Sequence, residues 1–194
     1  EINLNLGCPS GTVVAKKKGA GLLYYPQELD RFLYTIFEKA DIKISVKTRL
    51  GKENPEEFLE ILEIYNKYNM EELIIHPRVR ADFYKNSPNF NMYGYAFLHS
   101  KNKLCYNGDI TDLNGMESIK KRFDNTDRVM IGRGFLRNPG LTFEICDGDK
   151  EYDSQKFLEF HNRLLSDYKE YMSGEKPVLF KMKELWSYMG SFYV

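Results

Sequence analysis

A cysteine in the turn Gly7-Cys8-Pro9-Ser10, a lysine at Lys47, a histidine at His76 and an arginine at Arg133 are the residues of this chain best suited to do chemistry. A thiol at a strand end can pass a proton. Lysine and arginine can hold an anion, the arginine bidentately, and imidazole can bond through either ring nitrogen. These side chains stand in short polar blocks: Asn5-Leu6-Gly7-Cys8-Pro9-Ser10, Lys47-Thr48-Arg49, His76-Pro77-Arg78, Asn107-Gly108-Asp109 and Gly132-Arg133-Gly134. Each block follows an apolar run. Strand ends that only turn the chain favour Gly, Asn, Asp and Pro; the recurrence of Lys, His, Arg and Cys marks a rim where a site is built. The bland alternatives are a solvated lysine, a structural histidine and glycines that merely make tight turns. Cys105 reads as a buried small hydrophobe, and Cys146 has no motif around it.

The elements that must position these blocks are read from periodicity. Apolar runs at Ile2–Leu6, Ile42–Val46, Leu73–Ile75, Lys103–Tyr106 and Arg128–Ile131 predict strands. A helix opens at Pro26 with Leu29, Phe32, Leu33, Ile36 and Phe37 on one face. Asn54-Pro55-Glu56-Glu57 starts another, carrying Phe58, Ile61, Leu62 and Tyr65. Met116, Ile119 and Phe123 mark a shorter helix, and Asn138-Pro139 begins one through Phe143. This β-helix-β rhythm is that of a parallel sheet with crossover helices. After Cys146-Asp147-Gly148-Asp149 the strand signals stop. Phe157, His161, Leu164, Tyr168 and Tyr171 mark one helix; Leu179, Met182, Leu185, Trp186 and Met189 mark a second. The division this predicts is an α/β part over residues 1–150 and a helical part over 151–194.

Lys plus Arg and Asp plus Glu each number 28 in 194 residues, so formal net charge is zero and bulk charge does not hold a nucleic acid here. The local basic clusters are Lys16-Lys17-Lys18 and Arg78/Arg80/Lys85, interleaved with Tyr24, Tyr25, Phe83 and Tyr84; they are solvated faces or a seat for a polyanion with stacked bases. Three cysteines are too few for a secreted disulfide framework and point to a reducing cytoplasm. No apolar run is long enough for a membrane span, and neither metal-ligand spacing, a P-loop nor a Gly-x-Ser-x-Gly elbow is present.

The blocks together identify a resemblance. Asn3-Leu4-Asn5-Leu6-Gly7-Cys8-Pro9-Ser10 with Gly19-Ala20-Gly21-Leu22-Leu23 resembles the active-site segment of tRNA-dihydrouridine synthases. Val46-Lys47-Thr48-Arg49-Leu50-Gly51, Ile75-His76-Pro77-Arg78, Tyr106-Asn107-Gly108-Asp109-Ile110 and Met130-Ile131-Gly132-Arg133-Gly134 follow in the family's order. The tail with Phe180-Lys181-Met182-Lys183-Glu184 and Trp186 is similar to the family's tRNA-binding domain. The resemblance implies an FMN-dependent (β/α)8 TIM barrel, of which this chain holds strands four to eight, followed by part of a small all-helical domain. It implies reduction of the 5,6 double bond of particular uridines in tRNA, with NADPH as reductant. Cys8 is then the general acid that protonates C5 while flavin N5 delivers hydride to C6. Asn5 positions the uracil, Lys47 and His76 contact the flavin, and Asn107, Gly108, Asp109, Gly132 and Arg133 match the phosphate end of FMN. Arg78 lies near the RNA. The full-length protein is expected to be a cytoplasmic monomer without metal or membrane contact.

Two departures stand beside these expectations. The family's Pro-Met-x-Gly segment and a flavin-contacting Gln are absent from this chain, whose two ends both read as cut. His-Pro-Arg replaces the commoner His-Gly-Arg or His-Ala-Arg. Ile2–Leu6 and Arg128–Ile131 are therefore expected as open sheet edges, and the strand faces turned to the barrel interior as apolar. The competing readings are an FMN barrel acting on a free pyrimidine and a non-catalytic fragment that binds RNA.

Overall fold

The structure, a computed structural model, describes residues 1–124, 126, 128–148 and 154–193. Its contacts divide the chain into two compact units, one of residues 1–108 with 122–130, the other of 109–121 with 131–194.

The first unit is a parallel sheet of β1 (Ile2–Leu6), β2 (Ile44–Gly51), β3 (Leu73–Val79), β4 (Leu104–Asn107) and β5 (Val129–Met130), lying side by side in chain order. A short helix α1 (Gly11–Val14) and a 3₁₀ segment Gly19–Tyr24 follow β1; then come α2 (Pro26–Lys39), α3 (Glu57–Tyr65) and α4 (Phe90–His99). This is the α/β arrangement of part of a (β/α)8 barrel.

Alternation along the strands sorts the sheet into two faces. Val46, Thr48, Leu50, Leu73, Ile75 and Tyr106 are all at or near zero exposure on one face. The helices cover that face: the Tyr65 hydroxyl of α3 donates to Thr48 Oγ1 at 2.8 Å, and Tyr93 of α4 meets Tyr106 edge-on at 5.0 Å. Each such buried apolar side chain contributes about 1.5–3 kcal/mol. The opposite face is not the apolar one expected of a filled barrel interior. It carries Asn3, Asn5, Ser45, Lys47, Arg49, His76 and Asn107, with Ile74 and Cys105 between them. Part of this polar face is paired locally. Asn3 donates to Ser45 at 2.8 Å, and Glu72 and Arg128, which precede β3 and β5, pair at 3.1 Å.

Strand lengths also differ from the periodicity. β2 runs on through Lys47-Thr48-Arg49-Leu50-Gly51 and β3 through His76-Pro77-Arg78, so these blocks are strand residues and not loops. Pro77, which has no N–H to give, sits where the β2–β3 register slips between Arg49 and Gly51. Helix α3 begins later than Asn54-Pro55 because the Glu57 carboxylate turns back to accept from the amides of Lys52, Glu53 and Asn54 at 2.7–3.0 Å. Helix α4 has no counterpart among the sequence expectations. Gly94 and a run of aromatic residues hide it, although Asn89 caps it by accepting from Met92 N at 3.0 Å.

The second unit is helical: most of α5 (Leu113–Arg122), with α6 (Arg133–Arg137), α7 (Leu141–Asp147), α8 (Ser154–Tyr171) and α9 (Glu175–Tyr193). Helix α9 packs on α6 and α8, burying Val178, Met182 and Met189. Trp186 meets Phe157 and His161 edge-on at 5.8 and 5.6 Å. Tyr171, expected on the packed face, is 84% exposed, as the last residue of α8. Among the described residues no helix is long and apolar enough to cross a membrane.

Candidate functional site

In the first unit the C-terminal ends of β1 to β4 bring Asn5, Cys8, Lys47, Arg49, His76, Arg78 and Asn107 to one rim. The Cys8 segment is shaped by its neighbours. Asn5 Oδ1 accepts from Gly7 N at 3.1 Å, turning the chain just before the thiol and leaving the Asn5 amide N–H groups to donate elsewhere. Cys8 O accepts from Ala20 N at 3.1 Å. Gly19 has φ +54°, and a Cβ there would stand 2.9 Å from both Cys8 Cβ and Cys8 O, so only glycine lets the returning chain come this close. Cys8 itself is half-buried.

Lys47 lies in register with Asn5 on one side and Ile74 on the other. Burial, then repulsion from Arg49, pulls its ammonium below the usual lysine range. It has no carboxylate or hydrogen-bond partner among the described residues. A half-buried cation without an anion is unfavourable on its own, and an electron-rich ligand on this face would meet it.

His76 is buried, and its Nε2 lies 3.0 Å from Arg78 Nη1. A guanidinium can only donate, so Nε2 accepts and Nδ1 carries the ring proton. Arg78 is 2% exposed and also donates to Asn86 O. Asn107 Nδ2 donates to Met130 O at 2.8 Å, which ties β4 to β5 and leaves Oδ1 as an acceptor. Gly108 is buried, with the Tyr106 hydroxyl 3.1 Å from where a Cβ would be.

In the second unit Arg133 Nη2 and Asp109 Oδ1 form a 2.8 Å ion pair, and Asp109 adopts φ +46°. Asp109 thus meets a cation at the surface. The two glycines flanking Arg133 differ. A Cβ on Gly132 would meet nothing within 4 Å, whereas one on Gly134 would stand 2.3 Å from Ile110 O. Gly134 serves close packing, and Gly132 presents open backbone.

The basic clusters divide likewise. Lys17 pairs with Glu28 at 2.8 Å over the Tyr25 ring, and that bond raises its pKa; Lys16 and Lys18 are exposed. Arg80 Nε donates to Pro9 O at 3.3 Å, linking the turn after β3 to the Cys8 segment. Arg49, which the sequence marks only as part of a motif, is one of the most buried charged residues of the rim. Its place would follow from alternation, two residues beyond Lys47, once β2 is drawn to full length.

A parallel α/β sheet with a thiol segment, a lysine and a histidine at its strand ends defines a (β/α)8-type protein with a rim site. The family model described as Dihydrouridine synthase (Dus) matches residues 1–193, and the chain belongs to that family. It is similar to tRNA-dihydrouridine synthase B of Pasteurella multocida (strain Pm70), 30% identical over 155 residues, covering 79% of this chain and 46% of that protein. A probable tRNA-dihydrouridine synthase of Staphylococcus aureus (strain Mu50 / ATCC 700699) is 30% identical over 181 residues, covering 90% and 53%. tRNA-dihydrouridine synthase B of Serratia marcescens is 28% identical over 145 residues, covering 74% and 43%. The chain spans about half the length of the curated relatives it matches.

Proposed function

We propose that this chain is the Cys8-bearing part of an enzyme that reduces the 5,6 double bond of particular uridines in tRNA, using FMN with NADPH as reductant. The observation that carries the reading is the gathering of Cys8, Asn5, Lys47 and His76 on one rim. The residues fit a flavin mononucleotide. Among the described residues Lys47 is a cation without an anionic partner on the polar side of the sheet, His76 carries its ring proton on Nδ1, and Asn107 Oδ1 can accept. In the second unit Gly132 and Arg133 suit a phosphate, and Asp109 orients the Arg133 fork. When bound, FMN supplies the hydride that such a reduction needs.

The chain's own residues do the rest. Asn5, fixed through its oxygen to Gly7 N, donates from its amide to a uracil carbonyl. Cys8 gives its proton to C5. Arg78, buried against His76, supports the rim beside the RNA and holds the imidazole tautomer. A uridine must leave its stack to reach such a rim. Residues 1–150 form the catalytic part and 151–194 the tRNA-binding part. tRNA is the partner, and the cytoplasm is the compartment where it is met.

Cys8→Ala in the intact protein tests this. Flavin content and flavin reduction by NADPH should persist, while reduction of tRNA uridine falls about 10²–10⁴-fold, the usual worth of a general acid. Unchanged turnover on tRNA would remove Cys8 from the role, and equal turnover on free uridine would move the reading to a free-pyrimidine enzyme.

A further inference from the structure

Arg49 is 1% exposed. It stands in register with His76, and its Cγ lies 3.7 Å from where a Cβ on Gly7 would be, so its stem runs beside the residue that precedes Cys8. Its head group reaches the other way. Nη1 donates to Val79 O at 2.9 Å and Nη2 to Phe83 O at 2.8 Å. A buried cation is costly unless its donors are used; these donors go to two main-chain carbonyls of one turn.

That turn is held in an uncommon form. Phe83 has φ +51°, a region that bulky residues seldom adopt. Asp82 braces it from inside, accepting from Val79 N at 3.0 Å and from the Asn86 amide. The outcome is a half-exposed Tyr84 whose ring centroid lies 5.4 Å from the Arg49 guanidinium carbon and 5.9 Å from the His76 ring. Arg80 on the same turn bonds Pro9 O, so the turn is joined to the Cys8 segment as well. A half-exposed aromatic ring on such a rim suits a nucleobase, which can stack on an aromatic side chain whatever its sequence context.

We propose that Arg49 is the positioning residue of this site: it sets the turn 79–86 against the Cys8 segment and so holds Tyr84 as the wall that a uridine base meets. The proposal rests on the reading of the rim as a uridine-reducing site. Arg49 touches no reacting atom; it acts through the turn.

The test uses the intact protein carrying Arg49→Met, Arg49→Lys, Tyr84→Ala, or Arg49→Met with Tyr84→Ala. Single-turnover reduction of tRNA is followed against tRNA concentration, per bound flavin, together with tryptic cleavage after Lys85. Arg49→Met should raise the half-saturating tRNA concentration and lower the plateau, their ratio falling about ten- to a hundredfold, the worth of charge-assisted hydrogen bonds. Cleavage after Lys85 should quicken. Arg49→Lys should recover part of the loss, since an ammonium can serve one carbonyl but lacks the fork for two. Tyr84→Ala should reproduce the tRNA defect, and combining it with Arg49→Met should cost little more, because both remove one wall. Kinetics per flavin like wild type, with only the melting temperature lowered, would make Arg49 merely structural and overturn the proposal; fully additive losses would do the same. Should Arg49→Met not fold, Arg49→Lys carries the expected changes in kinetics and cleavage at smaller size, and Tyr84→Ala carries the tRNA defect. A wild-type protein that reduces no tRNA would refute the function. Equal cleavage after Lys85 in wild type and variant would refute the hold of Arg49 on the turn, whichever way the first result falls.

Discussion

Removing a charge from the rim should make the protein more stable and less able to bind the flavin proposed for it. Lys47→Met is that perturbation. The ammonium is held on β2 between Asn5 and Ile74, its pKa lowered first by burial and then by Arg49, with no anion among the described residues to compensate. Methionine keeps the length and the apolar stem and deletes the charge. Relief of a misfit of this kind stabilises a protein by about 0.5–2 kcal/mol, and for a domain of 150–250 residues each kcal/mol raises Tm by about 2–4 °C. The sign with pH follows from linkage. Below its folded-state pKa the lysine is charged in both states, so the folded chain bears the full penalty. As pH rises through that lowered pKa toward the unfolded value, the folded state gives up its proton first and the penalty fades. The gap between variant and wild type should thus be full at neutral pH and close in alkali.

Thermal melts of the flavin-free intact protein from neutral pH upward measure this directly. Added FMN should reverse the order, because a ligand stabilises the state that binds it in proportion to its affinity, and the wild type keeps the cation. A Lys47→Met variant that melts lower than wild type without flavin, or a gap that does not change with pH, would refute the account of Lys47 as an unpaired charge. Equal stabilisation of both proteins by FMN would refute its role toward the flavin.

Gly19→Ala should lower stability by about 1–3 kcal/mol, the cost of a non-glycine residue in the left-handed region, and should disturb Cys8, 2.9 Å from the added methyl; Gly132→Ala, with open space, is the matched control in urea melts and should be near neutral. Asp30, which accepts from Lys67 Nζ at 2.7 Å and from the Tyr68 hydroxyl at 2.6 Å, is held below the usual carboxylate range by those two bonds. Its contribution is present above its unfolded pKa and lost as pH falls through the lower folded value. Acid titrations of stability should therefore show a shallower acid limb in Asp30→Asn, and an unchanged limb would dismiss the pair.

Much of this architecture was legible because strand runs and polar blocks alternate along the chain. The five strands lie where the apolar runs are, and α2 buries Leu29 and Leu33 as their spacing requires. What the runs hid is how far the strands continue. Lys47-Thr48-Arg49 and His76-Pro77-Arg78 do not read as strand by hydrophobicity, since one face of the sheet is polar and the other carries the core. Helix α4 was hidden by Gly94, and the closing role of Gly134 by its likeness to Gly132; only the three-dimensional approach of Ile110 O separates the two. The burial of Arg78 and Arg49 was likewise invisible, because arginine is ordinarily exposed and the turn that covers them, close behind Arg78, lies 30 or more residues beyond Arg49.

The polar face explains why the site can sit so near the core. Had the inner positions of β2 and β3 been packed like their outer neighbours, Lys47 and His76 would have displaced apolar contacts and weakened the sheet. Instead the stabilising burial is concentrated on the face under α3 and α4, at Val46, Thr48, Leu50, Ile75 and Tyr106. A change of one residue in strand register would exchange the two faces, so the packing that fixes Thr48 against Tyr65 also fixes where Lys47 and Arg49 point. Positions of one parity therefore govern stability and those of the other govern the site, with Arg49 the exception that does both through the turn it holds.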